Sequence, residues 1–171
     1  DERGIVQSVA SKNNYNNAWP IIEKLGLAEY FLYPQIHWNA KSGSMEQIAK
    51  SLNIGVDALA LIDDSVFERE QVRSVLPQVR VYDAAEVENL LNYPEFDVVV
   101  TAESRNRRSM YQAEEKRKEL QNIDNTDTVD FLKRCHLKID VFEPKTGEEI
   151  SRCYELVVRT NQLNMSGRKY S

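Results

Sequence analysis

Asp63 and Asp64 stand side by side directly after the apolar run ALALI at residues 58–62. Two adjacent carboxylates repel unless a cation or a shared proton compensates. Oxygen ligands of this kind suit magnesium, which keeps most of its waters and takes one or two protein carboxylates. The same pair could equally open a helix as an acidic cap facing solvent. Ser11 follows another apolar stretch, GIVQSVA at residues 4–10, and Lys41 lies between the two in sequence. A lysine aimed at the same edge could neutralise a phosphate, whereas a lysine with no such context is a solvated surface group. Ser11, Lys41, Asp63 and Asp64 are therefore candidates for phosphoryl transfer. That reaction depends on positioning and charge neutralisation more than on elaborate acid–base machinery.

Three of these residues each follow the last apolar residue of an expected strand. Residues 4–10 read as one strand, 30–36 as a second broken by Pro34, 58–62 as a third and 79–82 as a fourth. The run at 58–62 is continuous, as in a strand covered on both faces. Between the strands, Asn13, Asn14, Asn16 and Asn17 offer caps for a helix to about Leu25, with Pro20 expected in its first turn. Met45, Ile48, Ala49 and Leu52 repeat at helical spacing from Ser44 onward, with Asn53 and Gly55 as the stop. Ser65 can cap a helix reaching Leu76, and residues 84–91 form another. This βαβα order implies a mostly parallel sheet with ligands at the C-terminal strand ends. Lys41 should then enter from the N-terminal side of the following helix and reach a carboxylate of Asp63 or Asp64. Further along, residues 103–121 read as a long charged helix, 122–128 as a polar linker and 129–134 as a short helix. Residues 137–142 then read as an alternating strand and 148–159 as an amphipathic helix.

The 171 residues allow one ordinary domain, or one domain plus part of a second. Charged residues make up 29% and hydrophobic residues 42%, a globular profile without a membrane-length apolar run. A net charge of −5 argues against generic nucleic-acid binding. The bases at 105, 107, 108 and 116–118 are interleaved with glutamates, which reads as a solvated helix face laced with local ion pairs. Two cysteines and two histidines, without metal-site spacing, speak against structural zinc and for a reducing, cytoplasmic setting. Cys135 and Cys153 read as inert packing residues rather than acyl-transfer nucleophiles.

The stretches VASKNN, PQIHWNAKSGSMEQIAKSLNIG, LALIDDSVFEREQVR and RTNQLNMSGRKYS resemble the FkbH-like branch of the haloacid dehalogenase superfamily, which has a minimal cap. Ser11 matches motif two, Lys41 motif three, and Asp63 with Asp64 motif four. The resemblance implies an α/β fold: a Rossmannoid three-layer parallel sheet over residues 1–100, incomplete because its first strand is missing. A helical connector would follow over 101–136, and the start of an acyltransferase-like α+β region over 137–171. It implies a magnesium-dependent phosphatase or phosphotransferase that works through an aspartyl-phosphate. Some members couple this chemistry to loading a phosphorylated three-carbon acyl unit onto an acyl carrier protein in polyketide biosynthesis. By position, Ser11, Lys12, Asn13 and Lys41 would bind phosphate, with Ser11 and Lys41 acting in catalysis. Asp63 and Asp64 would hold magnesium directly or through water. The implied partners are a phosphorylated small molecule and an acyl carrier protein, with no nucleic acid and no membrane.

Motif one, DxDx[TV] after an apolar strand, does not occur in residues 1–10, and Asp124-Asn125-Thr126 follows a polar segment. The nucleophile is therefore expected upstream of Asp1, and this chain alone is expected to be inactive. The absent strand belongs between those ending at Ser11 and Asp63, so these two should not pair. Asn161, Gln162 and Asn164 match a motif of the family without an assignable role. Other classes remain open. A two-component receiver domain uses similar groups, but there the lysine comes last. A non-catalytic module could dock a carrier protein through the 103–121 helix.

Overall fold

The structure, a computed structural model, describes residues 1–123, 133, 136 and 138–159. It is mixed α/β, with short parallel strands in two small sheets. Strand β1 (Ala10–Ser11) pairs with β2 (Gln35–Ile36), and β3 (Ala60–Asp63) pairs with β4 (Arg80–Asp83), both in parallel. Helix α1 (Tyr15–Lys24) follows β1, α2 (Lys41–Leu52) follows β2, and α3 (Val66–Val75) joins β3 to β4. Among the described residues no ladder joins β1 to β3.

The first two strands are shorter than the apolar runs suggest. Beyond the ladder, the contact continues as a bridge between Gln7 and Phe31, as the Leu32 N–H donating to the Gln7 carbonyl at 2.9 Å, and as the Ser8 hydroxyl donating to the Tyr33 carbonyl at 3.3 Å. A 3-10 turn at Ala28–Tyr30 and a left-handed Tyr33 (φ 49°) interrupt the second segment, so a regular ladder cannot run through it. The third strand is not covered on both faces. Leu61 and Asp63 are buried, while Ala60 and Ile62 on the other face are exposed.

The helices follow their caps. The Asn14 side chain accepts the Asn16 N–H, so α1 starts at Tyr15 and Pro20 falls in its second turn rather than its first. The helix bears this proline because only one N–H is lost. Helix α2 starts at Lys41, one turn earlier than expected, and ends at Asn53 in the left-handed conformation. Its stripe is the shared wall of two apolar clusters. Met45 packs with Leu61, Val72, Leu76 and Val79, while Ile48 and Leu52 pack with Leu32. Leu59 touches both clusters. The α2–α3 contact therefore joins the two strand pairs.

Residues 84–92 form a 3-10 helix rather than an α-helix, opened by a capping box between Asp83 and Glu86. The long charged helix is broken at Asn106 into α4 (Ala102–Arg105) and α5 (Arg107–Ile123). Its basic face is only partly solvated. Arg117 pairs locally with Glu114, but Arg108 stacks 4.5 Å from the Tyr30 ring centroid and binds Asp1 and Glu29. Arg107 binds the Gly4 carbonyl and Glu155 of α6 (Gly147–Arg159). Gly4 has φ +70°, and a Cβ there would overlap the Ser104 carbonyl. The strand expected over 137–142 does not form among residues 138–142. Ile139 and Val141 are 86% and 93% exposed, so among the described residues the alternation has neither a ladder partner nor a surface to bury against. Cys153 is exposed on α6 rather than packed inside. The short helix expected at 129–134, Cys135, Asn161, Gln162 and Asn164 lie outside the described residues, apart from Lys133.

Candidate functional site

The chain leaves β3 through an Asx turn. Asp63 Oδ1 accepts the Ser65 N–H at 2.9 Å, and Ser65 Oγ then caps α3 by accepting the Glu68 N–H at 3.4 Å. This local chemistry fixes Asp63 at the C-terminal end of β3 with its second oxygen, Oδ2, facing the start of α2. The Lys41 ammonium donates to that oxygen. Side-chain exposures of 13% and 4% make this a buried ion pair, screened far less than a surface one. Lys41 is the first residue of α2, whose N-cap Ala40 supplies no side-chain acceptor. The positive end of that helix dipole therefore faces the same edge.

Two further ion pairs flank this one. Lys12, next to Ser11 at the end of β1, reaches Glu68 Oε1 on α3 at 2.8 Å. Arg69 binds the Asp63 carbonyl at 2.6 Å and Asp83 Oδ2 at 2.6 Å, tying the paired ends of β3 and β4 together. Asp63, Glu68 and Asp83 thus each have a cationic partner. Asp64 is exposed and has no hydrogen-bond or ion-pair partner among the described residues. The Ser11 hydroxyl, half-buried, also has none among them. Asn13 is exposed, and its Oδ1 accepts the Asn14 N–H at 2.7 Å.

The expected residues therefore meet in part. Lys41 and Asp63 touch directly, as the βα geometry requires. Lys12 reaches the same region through Glu68. Asn13 is turned to its own loop, and Asp64 to solvent. Glu68 and Arg69 lie in the DDSxxER stretch that carries the family resemblance but were given no role from the sequence, and Gln71 was not singled out. The available signal was their helical spacing. Glu68 and Arg69 lie four and three residues before the fully buried Val72, so they share its inward face.

Magnesium takes oxygen donors, and the carboxylates of Asp63 and Asp64 are of that type. Asp63 is already committed to Lys41 and Ser65, while the Asp64 carboxylate is free. No group of three or more His, Cys, Asp or Glu side chains is placed to hold a metal among the described residues. This set does not make a closed cage. It fits a hard cation held by one or two carboxylates, with water and a phosphate completing the shell. No helix among the described residues is long and apolar enough to cross a membrane. Comparisons with protein-family models, curated proteins and solved structures found no match to the chain.

Proposed function

We propose that this chain carries the cation-binding and charge-neutralising part of a magnesium-dependent phosphoryl-transfer site, with the nucleophilic aspartate supplied upstream of Asp1. The observation that carries this reading is the buried Lys41–Asp63 pair at the strand ends, with an unpaired Asp64 beside it. The pairing pattern is consistent with it. β1–β2 and β3–β4 form separate ladders, and a strand inserted between β1 and β3 would unite them into one parallel sheet of the haloacid dehalogenase type.

In this scheme Asp64, and Asp63 directly or through water, would hold magnesium, which would supply positive charge to offset that of a phosphate. Lys41 holds Asp63 in orientation through their ion pair, and its remaining N–H donors are available to an incoming phosphoryl group. Ser11 has a free hydroxyl at the end of β1 to donate to a phosphoryl oxygen, with Lys12 beside it. The substrate class is a phosphorylated small molecule in the cytoplasm. An acyl carrier protein is the acceptor by analogy with the family that the sequence resembles. Docking of that carrier through α5 alone has less support, because Arg108, Tyr111 and Gln112 of α5 are bonded to residues 1, 29 and 52 of the same chain.

The test is to express the chain together with its upstream coding sequence and assay magnesium-dependent hydrolysis of p-nitrophenyl phosphate. Activity should appear only in the extended protein, and Asp64→Asn or Lys41→Met should each lower kcat by about 100-fold or more. An upstream segment without an Asp-x-Asp strand end, or full activity in both variants, would refute the proposal.

A further inference from the structure

Ser65 and Glu68 have the spacing of a capping box, in which the glutamate carboxylate reaches back to the backbone N–H of the cap residue. Here it does not. The Ser65 N–H is taken by Asp63, and Glu68 turns across to Lys12. Its other oxygen, Oε2, is buried without a hydrogen-bond partner among the described residues, on a residue only 9% exposed. One turn further along α3, Gln71 repeats the pattern. Its Nε2 donates to Ser42 Oγ at 2.8 Å, while its Oε1 is buried and unpartnered among the described residues. Positions i and i+3 share a helix face, so two acceptors without donors lie on the face of α3 that meets Lys12 and the start of α2. A buried carboxylate oxygen left without a donor is costly, and such groups are rare in folded proteins.

Lys12 is the member of this cluster best able to move, with its side chain 31% exposed against 11% for Glu68. A phosphate arriving at the ends of β1 and β3 competes with Glu68 for its ammonium. Once Lys12 turns to the phosphate, the Glu68 carboxylate needs donors in its place.

We infer that Glu68 is a specificity-determining residue that accepts a hydroxyl hydrogen from the ligand whose phosphate engages Lys12 and Lys41. The ligand class is a phosphate monoester with a hydroxyl a few bonds from phosphorus. This deepens the phosphoryl-transfer reading and rests on it.

Calorimetric titration of the whole chain, with magnesium, compares ethyl phosphate with 2-hydroxyethyl phosphate. The hydroxylated ester should bind about tenfold more tightly, as a hydrogen bond to a buried carboxylate predicts. Glu68→Leu should abolish that ratio. Glu68→Gln, which keeps the shape and an acceptor oxygen but not the charge, should narrow it, and it decides the matter if the leucine variant does not fold. Lys12→Ala should weaken both esters alike and preserve the ratio, which a merely structural role for Glu68 would not produce. Equal affinity of the unaltered chain for both esters, or an unchanged ratio in Glu68→Gln, overturns the role of Glu68 and leaves phosphate binding standing. Binding of neither ester overturns both.

Discussion

Replacing Lys41 with methionine keeps most of the side-chain volume and removes the charge. In the native chain Asp63 Oδ1 has the Ser65 N–H and Oδ2 has the Lys41 ammonium. The variant leaves a carboxylate that is 4% exposed with one oxygen unsupported. Orphaning one member of a buried pair costs about 3–5 kcal/mol. For a chain of 171 residues, at roughly 2–4 °C per kcal/mol, that is a fall of about 6–20 °C in Tm. Asp63→Asn should cost less, about 1–3 kcal/mol, because the amide oxygen still accepts from Ser65 and Lys41 can extend its head toward water. The double variant removes both charges. It should therefore be more stable than the sum of the single effects predicts, with a coupling of about 2 kcal/mol. Urea unfolding followed by circular dichroism measures all three. A Lys41→Met cost below about 0.5 kcal/mol, or strict additivity, would show that the pair is a solvated contact.

Gly4→Ala should destabilise by about 2–4 kcal/mol, combining the left-handed φ with the overlap on Ser104; an unchanged thermal melt would contradict the close approach. Val72→Ala, at the fully buried centre of the α3 face, should cost about 2 kcal/mol in the same unfolding assay. Glu149 accepts the Lys145 and Thr146 backbone N–H groups, which hold its carboxyl below the usual 4.5. A depressed pKa in the folded state stabilises above the ordinary value and is lost as pH falls through the lowered one. The first turn of α6 should therefore loosen as pH falls below the ordinary carboxylate value of 4.5, read from backbone carbon shifts of residues 147–150. That pH response should disappear in Glu149→Gln.

The elements legible in the sequence were those with a strong local code. The Met45, Ile48, Ala49 and Leu52 stripe lies buried, Ser65 caps α3, and the strand ending at Asp63 stops at the acidic pair. The meeting of Lys41 with Asp63 followed from chain order alone, because a parallel βα arrangement gathers its strand ends at one edge. Features that depend on distant partners were not legible. The alternation at 138–142 looks like a strand, but strand formation requires another chain segment to pair with, and none of the described residues does so. The ALALI run looks covered on both faces, but only Leu59 and Leu61 pack into the apolar clusters, while Ala58, Ala60 and Ile62 are exposed. Arg107 and Arg108 look like a solvated helix face, yet their partners are residues 1, 4, 29 and 155, which no local pattern connects to them. The Lys12–Glu68 pair was hidden for the same reason. The Ser65-x-x-Glu68 spacing points to a local cap, and only the packed α3 face shows that the carboxylate goes elsewhere.

The most direct test of the central claim uses manganese as a paramagnetic stand-in for magnesium in an amide proton–nitrogen NMR spectrum of the chain. Substoichiometric manganese should selectively broaden Asp63, Asp64 and Ser65, excess magnesium should reverse the effect, and Asp64→Asn should abolish it. Broadening centred elsewhere, or persisting unchanged in Asp64→Asn, would contradict a cation site at the end of β3.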